Sequence, residues 1–367
     1  MKSFFPAYSH RLPATVVLAA FVLFGSSACT RRGHRVLEVA YVSAPQAVLR
    51  DQVAAIYNRV GMVKNGERVE VMEHEKRFAR VRTATGTEGW IEQRFLVDQK
   101  IYDGLQKLTQ DNQNDPVQAP GVLRNDTNLH IAPGRDTEHL YLLTSGAKVS
   151  LLKRGTAEKQ TGSSPISARP GSKAAAGPAL EDWWLSRDAQ GRVGWVLSRM
   201  VDVDAPLEIA QYAEGQRFMA FFVLNEVRDS ATEKPVKSKK GAVSASDPSS
   251  NSDQSTGKLV PQYLCVLTDP HDGLPYDFDQ IRVFTWNVRK HRYETAYREH
   301  GLNGVLPVTV AKEDFDKEGT LPVFILRVKD DAGNVSERKY KLNTPIVRRV
   351  LAPGEIAAKP VAKRRRR

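Results

Sequence analysis

Cysteine is nearly absent: Cys29 and Cys265 are the only two in 367 residues. Two thiols cannot supply the usual Cys-based ligand set of a structural zinc site, and no disulfide framework can be built from them. Long hydrophobic runs are also missing. Residues 14–24 form an apolar stretch that would rise only about 16 Å as a helix, about half of a bilayer core, so a spanning segment is not expected. Serine nucleophile elbows, phosphate loops and HExxH helices are absent as well, which removes the most common sequence signatures of hydrolases and nucleotide-binding enzymes. An excess of one charge sign is confined to the ends. Of the 54 Lys and Arg residues, six stand at Lys359, Lys363 and Arg364, Arg365, Arg366 and Arg367, and two, Lys2 and Arg11, precede the apolar stretch. The remainder nearly balances the 42 acidic residues, so no basic nucleic-acid face follows from the net charge of +12. With 41% apolar and 26% charged residues, the body has the usage of folded soluble domains.

What is present begins with an address. Lys2 and Arg11, the apolar residues 14–24, and the small residues Gly25, Ser26, Ser27 and Ala28 have the order of an export signal over residues 1–28. Cys29 directly after Ser27-Ala28 resembles the lipobox of bacterial lipoproteins, with cleavage by the general signal peptidase as the alternative. The resemblance implies acylation of Cys29, anchoring in the membrane through that lipid, and, because Thr30 rather than Asp follows, sorting to the periplasmic face of the outer membrane. Cys265, in an apolar stretch, is then expected to be a buried small hydrophobe.

The chain repeats itself. Leu49-Arg50, Gly66 and Val69-Glu70-Val71 recur at an offset of 80 as Leu129-His130, Gly146 and Val149-Ser150-Leu151. Phe78, Gly86 and Gly89-Trp90-Ile91 recur at an offset of 105 as Trp183, Gly191 and Gly194-Trp195-Val196. The difference is an insertion of 25 residues, visible in the Gly, Ser, Ala and Pro-rich residues 155–178, expected to be a disordered hairpin tip. Each copy alternates short period-two strands with glycine turns. The series Asn128-Leu129-His130-Ile131-Ala132-Pro133-Gly134, then Gly146, Trp183-Trp184, Gly191 and Gly194-Trp195-Val196, resembles the bacterial SH3 domain. That resemblance covers residues 37–98 and 118–203 and implies two small barrels. Between them, Val97, Ile101, Leu105 and Leu108 are spaced for an amphipathic helix within residues 99–117.

Residues 206–345 read as six or seven antiparallel strands, a sandwich or a partly closed barrel, with a second polar insertion at 230–257 expected to be disordered. Residues 346–367 read as a basic tail, either solvated or meeting anionic envelope polymers. The fold class expected is therefore mainly β: two SH3-like small barrels joined by a helix, plus a C-terminal antiparallel β domain.

Candidate chemistry is sparse. Cys265 and His271 invite a Cys-His hydrolase reading, but Cys265 lies mid-strand with no helix N-terminus to lower its pKa. His271, His291 and His300 would have to converge from separate turns to hold a metal, so no metal or cofactor is expected. Phe284, Trp286, Tyr293 and Tyr297 could form a platform for sugar or peptide, core packing claiming at least half of them. Adjacent strand residues face opposite ways, so Trp183 and Trp184 are expected to divide between core and surface. Pairing Trp183 with Phe78 and Trp184 with Ala79 assigns Trp183 to the core and presents Trp184. The resemblance places a binding groove at His130, Pro133, Trp184 and Trp195. The leading expectation is a non-catalytic envelope lipoprotein that binds peptidoglycan or a protein partner. The alternatives are a cell-wall hydrolase or peptidase acting through the C-terminal domain, and a scaffold subunit of an envelope assembly.

Overall fold

The computed structural model describes residues 35–160, 179–229 and 257–351. The leader, Cys29, most of both insertions and the terminal Arg run lie outside the described residues. Three antiparallel sheets of seven strands each make up the fold. The first holds β1 (Glu38–Val42), β2 (Gln46–Arg50), β3 (Arg59–Lys64), β4 (Arg68–Glu75), β5 (Phe78–Thr83), β6 (Glu88–Glu92) and β7 (Leu96–Asp98). Its order is β3-β2-β6-β5-β4-β1-β7. The second holds β8 (Ala119–Leu123), β9 (Thr127–His130), β10 (His139–Leu143), β11 (Lys148–Glu158), β12 (Leu180–Asp188), β13 (Val193–Leu197) and β14 (Val201–Val203). Its order, β10-β9-β13-β12-β11-β8-β14, repeats the first strand for strand. Neither sheet closes into a barrel, because β3 and β7, and likewise β10 and β14, are unpaired edges.

The Gly-Trp pairs of the sequence have a steric cause. A Cβ added at Gly89 would lie 2.8 Å from Leu49 Cβ, and one at Gly194 would lie 2.6 Å from Leu129 Cβ. Each copy thus needs a glycine where β2 or β9 crosses β6 or β13 at close range. The insertion is shorter than its composition suggests: β11 runs to Glu158 and pairs with β12 as far as Glu158 with Leu180, so residues 155–158 belong to the sheet.

Helix α1 (Gln99–Asp111) starts where the Asp98 carboxylate accepts the Ile101 N–H at 3.1 Å. This side-chain cap satisfies one of the helix's orphan donors. Leu105 is buried, Tyr102 stacks on Tyr41 with ring centroids 4.1 Å apart, and Thr109 Oγ1 accepts the Val193 N–H at 2.9 Å. Gly104, which weakens the helix by its own propensity, lets it approach the second sheet: a Cβ there would lie 2.3 Å from Ile131 Cδ1. The side chain of Asn65, at the β3–β4 turn, completes the connection. Its Nδ2 donates to the Ser43 and Leu140 carbonyls at 2.8 Å, and its Oδ1 accepts the Leu142 N–H at 2.9 Å.

After the short helix α2 (Leu207–Ala210), the third sheet follows chain order: β15 (Arg217–Asp229), β16 (Lys258–Thr268), β17 (Phe278–Asn287), β18 (Arg292–Asp314), β19 (Thr320–Lys329), β20 (Val335–Asn343) and β21 (Ile346–Val350). It is one meander that curls until β15 packs on β18 and β19, not a sandwich of two sheets. Residues 292–314 form one long strand, β18, interrupted by register shifts against both neighbours. Residues 346–350, expected to begin the tail, pair with β20 as β21.

The cores are unequal. The first sheet has its own, built on Val42, Leu49, Val69, Ala79, Val81 and Ile91. The second has only a small cluster of its own, Leu152, Leu185 and Val193 beneath Leu108 of the helix; its main interior, Leu129, Leu151, Trp184 and Val196, belongs to a continuous core with Leu264, Phe278, Phe324 and Tyr340 of the third sheet. At the same junction Arg154, with a side chain only 5% exposed, donates to Asp182 Oδ1 at 2.6 Å and to the Leu274 and Tyr276 carbonyls, and faces Asp277 at 3.2 Å. Asp182 also accepts from Arg217 at 2.7 Å and from the Gly273 N–H at 2.9 Å.

Candidate binding faces on the two repeated sheets

Strand register decides which side chains look outward. Directly paired residues share a face. Trp184 pairs with Val196 and Ala79 with Ile91, and all four are buried in core clusters. Trp183 and Phe78 therefore stand on the opposite, outer faces. This reverses the expectation from sequence: Trp184 is the core residue and is 3% exposed. The aromatic kept in both copies is the outward one. Trp184 can replace Ala79 at an inward position because the second sheet's core opens into the third sheet and has a larger volume to fill.

His130, Pro133 and Trp195 lie together on the outer face of the second sheet. His130 pairs with Trp195, and its ring meets Trp183 at 5.2 Å, edge to face. Gly155 lies beneath them: a Cβ there would stand 2.7 Å from the Trp195 ring and 3.2 Å from Pro133 Cγ. Thr137 Oγ1 donates to the Ala132 and Gly134 carbonyls at 2.8 and 2.7 Å, which folds residues 131–137 back on the sheet. Arg135 ties the same loop to Glu181 at 2.7 Å. Trp183, covered by these groups, is only 2% exposed.

Burial, with a lesser contribution from neighbouring His139, pushes the pKa of His130 down from 6.5 to about 4. A histidine depressed in the folded state adds stability in full above 6.5 and loses it as pH falls towards 4, because only the unfolded chain takes up the proton in that window. Thermal melts between pH 7 and 4 will show a falling midpoint, and His130→Gln will flatten the slope. An unchanged slope would contradict the burial of this ring.

The first sheet carries a groove on the same face, with Phe78 buried at its floor. Arg50, at the position of His130, pairs with Trp90. Its guanidinium lies 4.1 Å over the Tyr57 ring and 5.1 Å from that of Phe78, and Nη2 reaches Glu92 at 3.4 Å. Asp51 accepts both the backbone and side-chain N–H groups of Asn58 at 2.8 Å. This clasp holds the apolar loop between them, with Ile56 87% exposed. Between that loop and the β4–β5 turn, where Lys76 sits at φ +54°, is a groove of about 430 Å³ lined by Arg50, Ala54, Lys76, Arg77 and Phe78. Its polar groups are mainly cationic. The repeat offset pointed to Arg50 and Phe78, but they are the weaker copy of the sequence pattern, which lacks the Pro-Gly and the tryptophan.

The other candidates are separated. Cys265 is fully buried and burial pushes its thiol up, which disfavours the thiolate that nucleophilic attack requires. His271 is paired with Asp269 and His291 with Asp229, each near 3 Å. Among the described residues no three His, Cys, Asp or Glu side chains converge as a metal site. Phe284 is core, Tyr297 packs near Tyr340, and Trp286 meets Tyr293. Among the described residues no helix is long and apolar enough to cross a membrane.

Comparison with known proteins agrees with the first sheet. Residues 47–97 match the family described as Bacterial SH3 domain. No curated protein sequence matches the chain. Among solved structures, a NlpC/P60 family protein from Bacillus cereus ATCC 10987 aligns at 11% identity, 52% of this chain and 65% of that one, with a TM-score of 0.22. NlpC2 from Trichomonas vaginalis aligns at 11% identity, 48% of this chain and 53% of that one, with a TM-score of 0.15. The chain thus spans less than two thirds of either, and scores this low do not define a shared overall fold. The protein carries a bacterial SH3 domain within a mainly β chain.

Proposed function

We propose that the protein is a non-catalytic binding component of the bacterial cell envelope, anchored through Cys29, which holds peptidoglycan or a protein partner on the face of its first sheet. The observation that carries this reading is the open groove around Arg50, Phe78 and Tyr57, inside the residues that match the bacterial SH3 domain. Arg50, Arg77 and Lys76 supply cationic donors, and the exposed Tyr57 ring supplies flat apolar contact above a floor made by the buried Phe78. That combination suits a peptide with free carboxylates, such as the peptide part of a cell wall. The burial of Cys265 supports a binding role over cysteine-based hydrolysis.

Co-sedimentation with purified sacculi tests the reading. The wild type will pellet, and Arg50→Ala combined with Phe78→Ala will weaken binding by about tenfold or more, since one cationic and one aromatic contact are removed. His130→Gln will have little effect, because its face is covered by its own loop. Equal pelleting of the double variant would reject the groove. No pelleting by the wild type would leave an envelope protein as the partner, to be found by crosslinking, with capture lost in the same double variant.

A further inference from the structure

A second cavity lies at the far end of the third sheet, where β15 ends at Asp229 and β16 begins at Lys258. The β17–β18 turn, with His291 at φ +48°, brings Trp286 and Tyr293 beside them. Every polar tip on these rings is tied into the protein. Trp286 Nε1 donates to Asp229 Oδ2 at 3.0 Å, the Tyr293 hydroxyl donates to the Pro261 carbonyl at 2.9 Å, and the Tyr263 hydroxyl donates to Glu208 Oε1 at 3.0 Å. Asp229, 6% exposed, also stands 3.0 Å from His291 Nδ1. The rings of Trp286 and Tyr293 meet at 5.0 Å and 74°, forming a corner with one ring presenting a face and the other an edge. Val260 and Pro261 extend this apolar wall around a cavity of about 540 Å³.

The polar groups around the wall are mixed in sign. Glu208 and Asp229 are acceptors, Lys258 donates, and the His291 ring, 47% exposed at its side chain with Nδ1 against Asp229, turns Nε2 to the cavity. Asp229 is spent on Trp286 and His291, so an ion of either sign would meet both an attractive and a repelling group in Glu208 and Lys258. The complementary ligand is uncharged, has a flat apolar face, and carries hydroxyls that both donate and accept. We propose that this pocket binds a neutral saccharide ring, with its C–H face stacked on Trp286 and its hydroxyls directed to Glu208, Lys258 and His291. The site is independent of the groove at Arg50 and lies on a different sheet.

The test is titration of the purified protein with the tetrasaccharides of β-1,4-linked N-acetylglucosamine and of β-1,4-linked glucose. Tryptophan fluorescence and calorimetry supply the readout, with butylammonium as the cationic comparison. Saturable binding of at least one tetrasaccharide is expected, weakened about tenfold in Trp286→Ala by loss of an aromatic anchor. Trp286→Phe, which keeps a ring but loses the bond to Asp229, will weaken it less, and Glu208→Gln will weaken it without altering near-ultraviolet circular dichroism. The Arg50→Ala, Phe78→Ala protein will bind as the wild type does, so failure here and failure of sacculus binding are separable. Absence of saturable binding by both sugars, preference for butylammonium, or full binding by the Glu208→Gln and Trp286→Phe proteins would overturn the proposal.

Discussion

Asp182→Ala will destabilise the folded protein by about 3–5 kcal/mol, the usual cost of removing one partner from a buried ion pair. The carboxylate is 1% exposed at its side chain and accepts from Arg154, Arg217 and the Gly273 N–H. Its loss leaves the Arg154 guanidinium buried, with only Asp277 and two carbonyls as partners. Burial opposes ionisation of Asp182, but the hydrogen bonds from Arg154 and Gly273 and the charges of Arg154 and Arg217 outweigh it and hold its carboxyl below the ordinary 3.8. The wild-type contribution is therefore fully present at neutral pH and is lost only as acid takes the solution through that lowered value. This window lies below the one set by His130. Replacing both partners, as Arg154→Met with Asp182→Leu, will cost less than the sum of the single changes, because no buried charge is stranded. Urea denaturation of the wild type, Asp182→Ala, Arg154→Met, Asp182→Leu and the double variant at pH 7 measures each of these differences. A loss under about 1 kcal/mol for Asp182→Ala would show that water reaches the junction.

Trp184→Ala will cost a similar amount, about 3–5 kcal/mol, through the cavity left by the largest kind of core truncation. Because its ring belongs to a core shared by the second and third sheets, both will lose structure together. Far-ultraviolet circular dichroism and the near-ultraviolet signal of the third-sheet aromatics will fall in one coincident transition, shifted to lower temperature. A native-like midpoint, or separation into two transitions that spares the third sheet, would contradict a continuous core. The inward counterpart in the first sheet is Ala79, where the aromatic was never needed.

That pair also shows where sequence reading succeeds and where it fails. The offsets of 80 and 105 were enough to find the duplication, since Leu49, Gly89, Leu129 and Gly194 are fixed by local crossings of two strands. The same alignment misassigned Trp183 and Trp184. It took an aromatic present in both copies to be core, whereas Phe78 and Trp183 stand on the outer faces and the inward position is Ala79 in one copy and Trp184 in the other. The size of the second core depends on contacts with residues more than 70 positions away, which periodicity does not report. Arg154, Asp182 and Asp277 are equally silent in the sequence, each reading as an ordinary surface charge until three chain segments meet. Strand existence was legible in the third sheet from β15 to β20, but not for β21, whose Arg348 and Arg349 read as the start of a basic tail. The strand boundaries were not legible: β18 has the turn-like residues Gly301, Asn303 and Gly304 inside it. Gly304 is there because a Cβ would lie 2.2 Å from the Phe278 ring. For the groove, the outward positions could be read from the repeat, but the fold-back of residues 131–137 that covers one copy and not the other could not.

The unequal division of cores sets an order of events at the ribosome, where chains emerge from the N-terminus at about 5–20 residues per second. The first sheet owns its apolar interior and can collapse as soon as residues up to about 98 are clear of the exit tunnel. The second sheet emerges without the residues that complete its interior, and it stays unfinished until Phe278 and Phe324 follow, nearly a hundred or more residues later. During that interval Trp184 and Leu151 are apolar surface on a nascent chain, and they are the natural points of attachment for a holding chaperone.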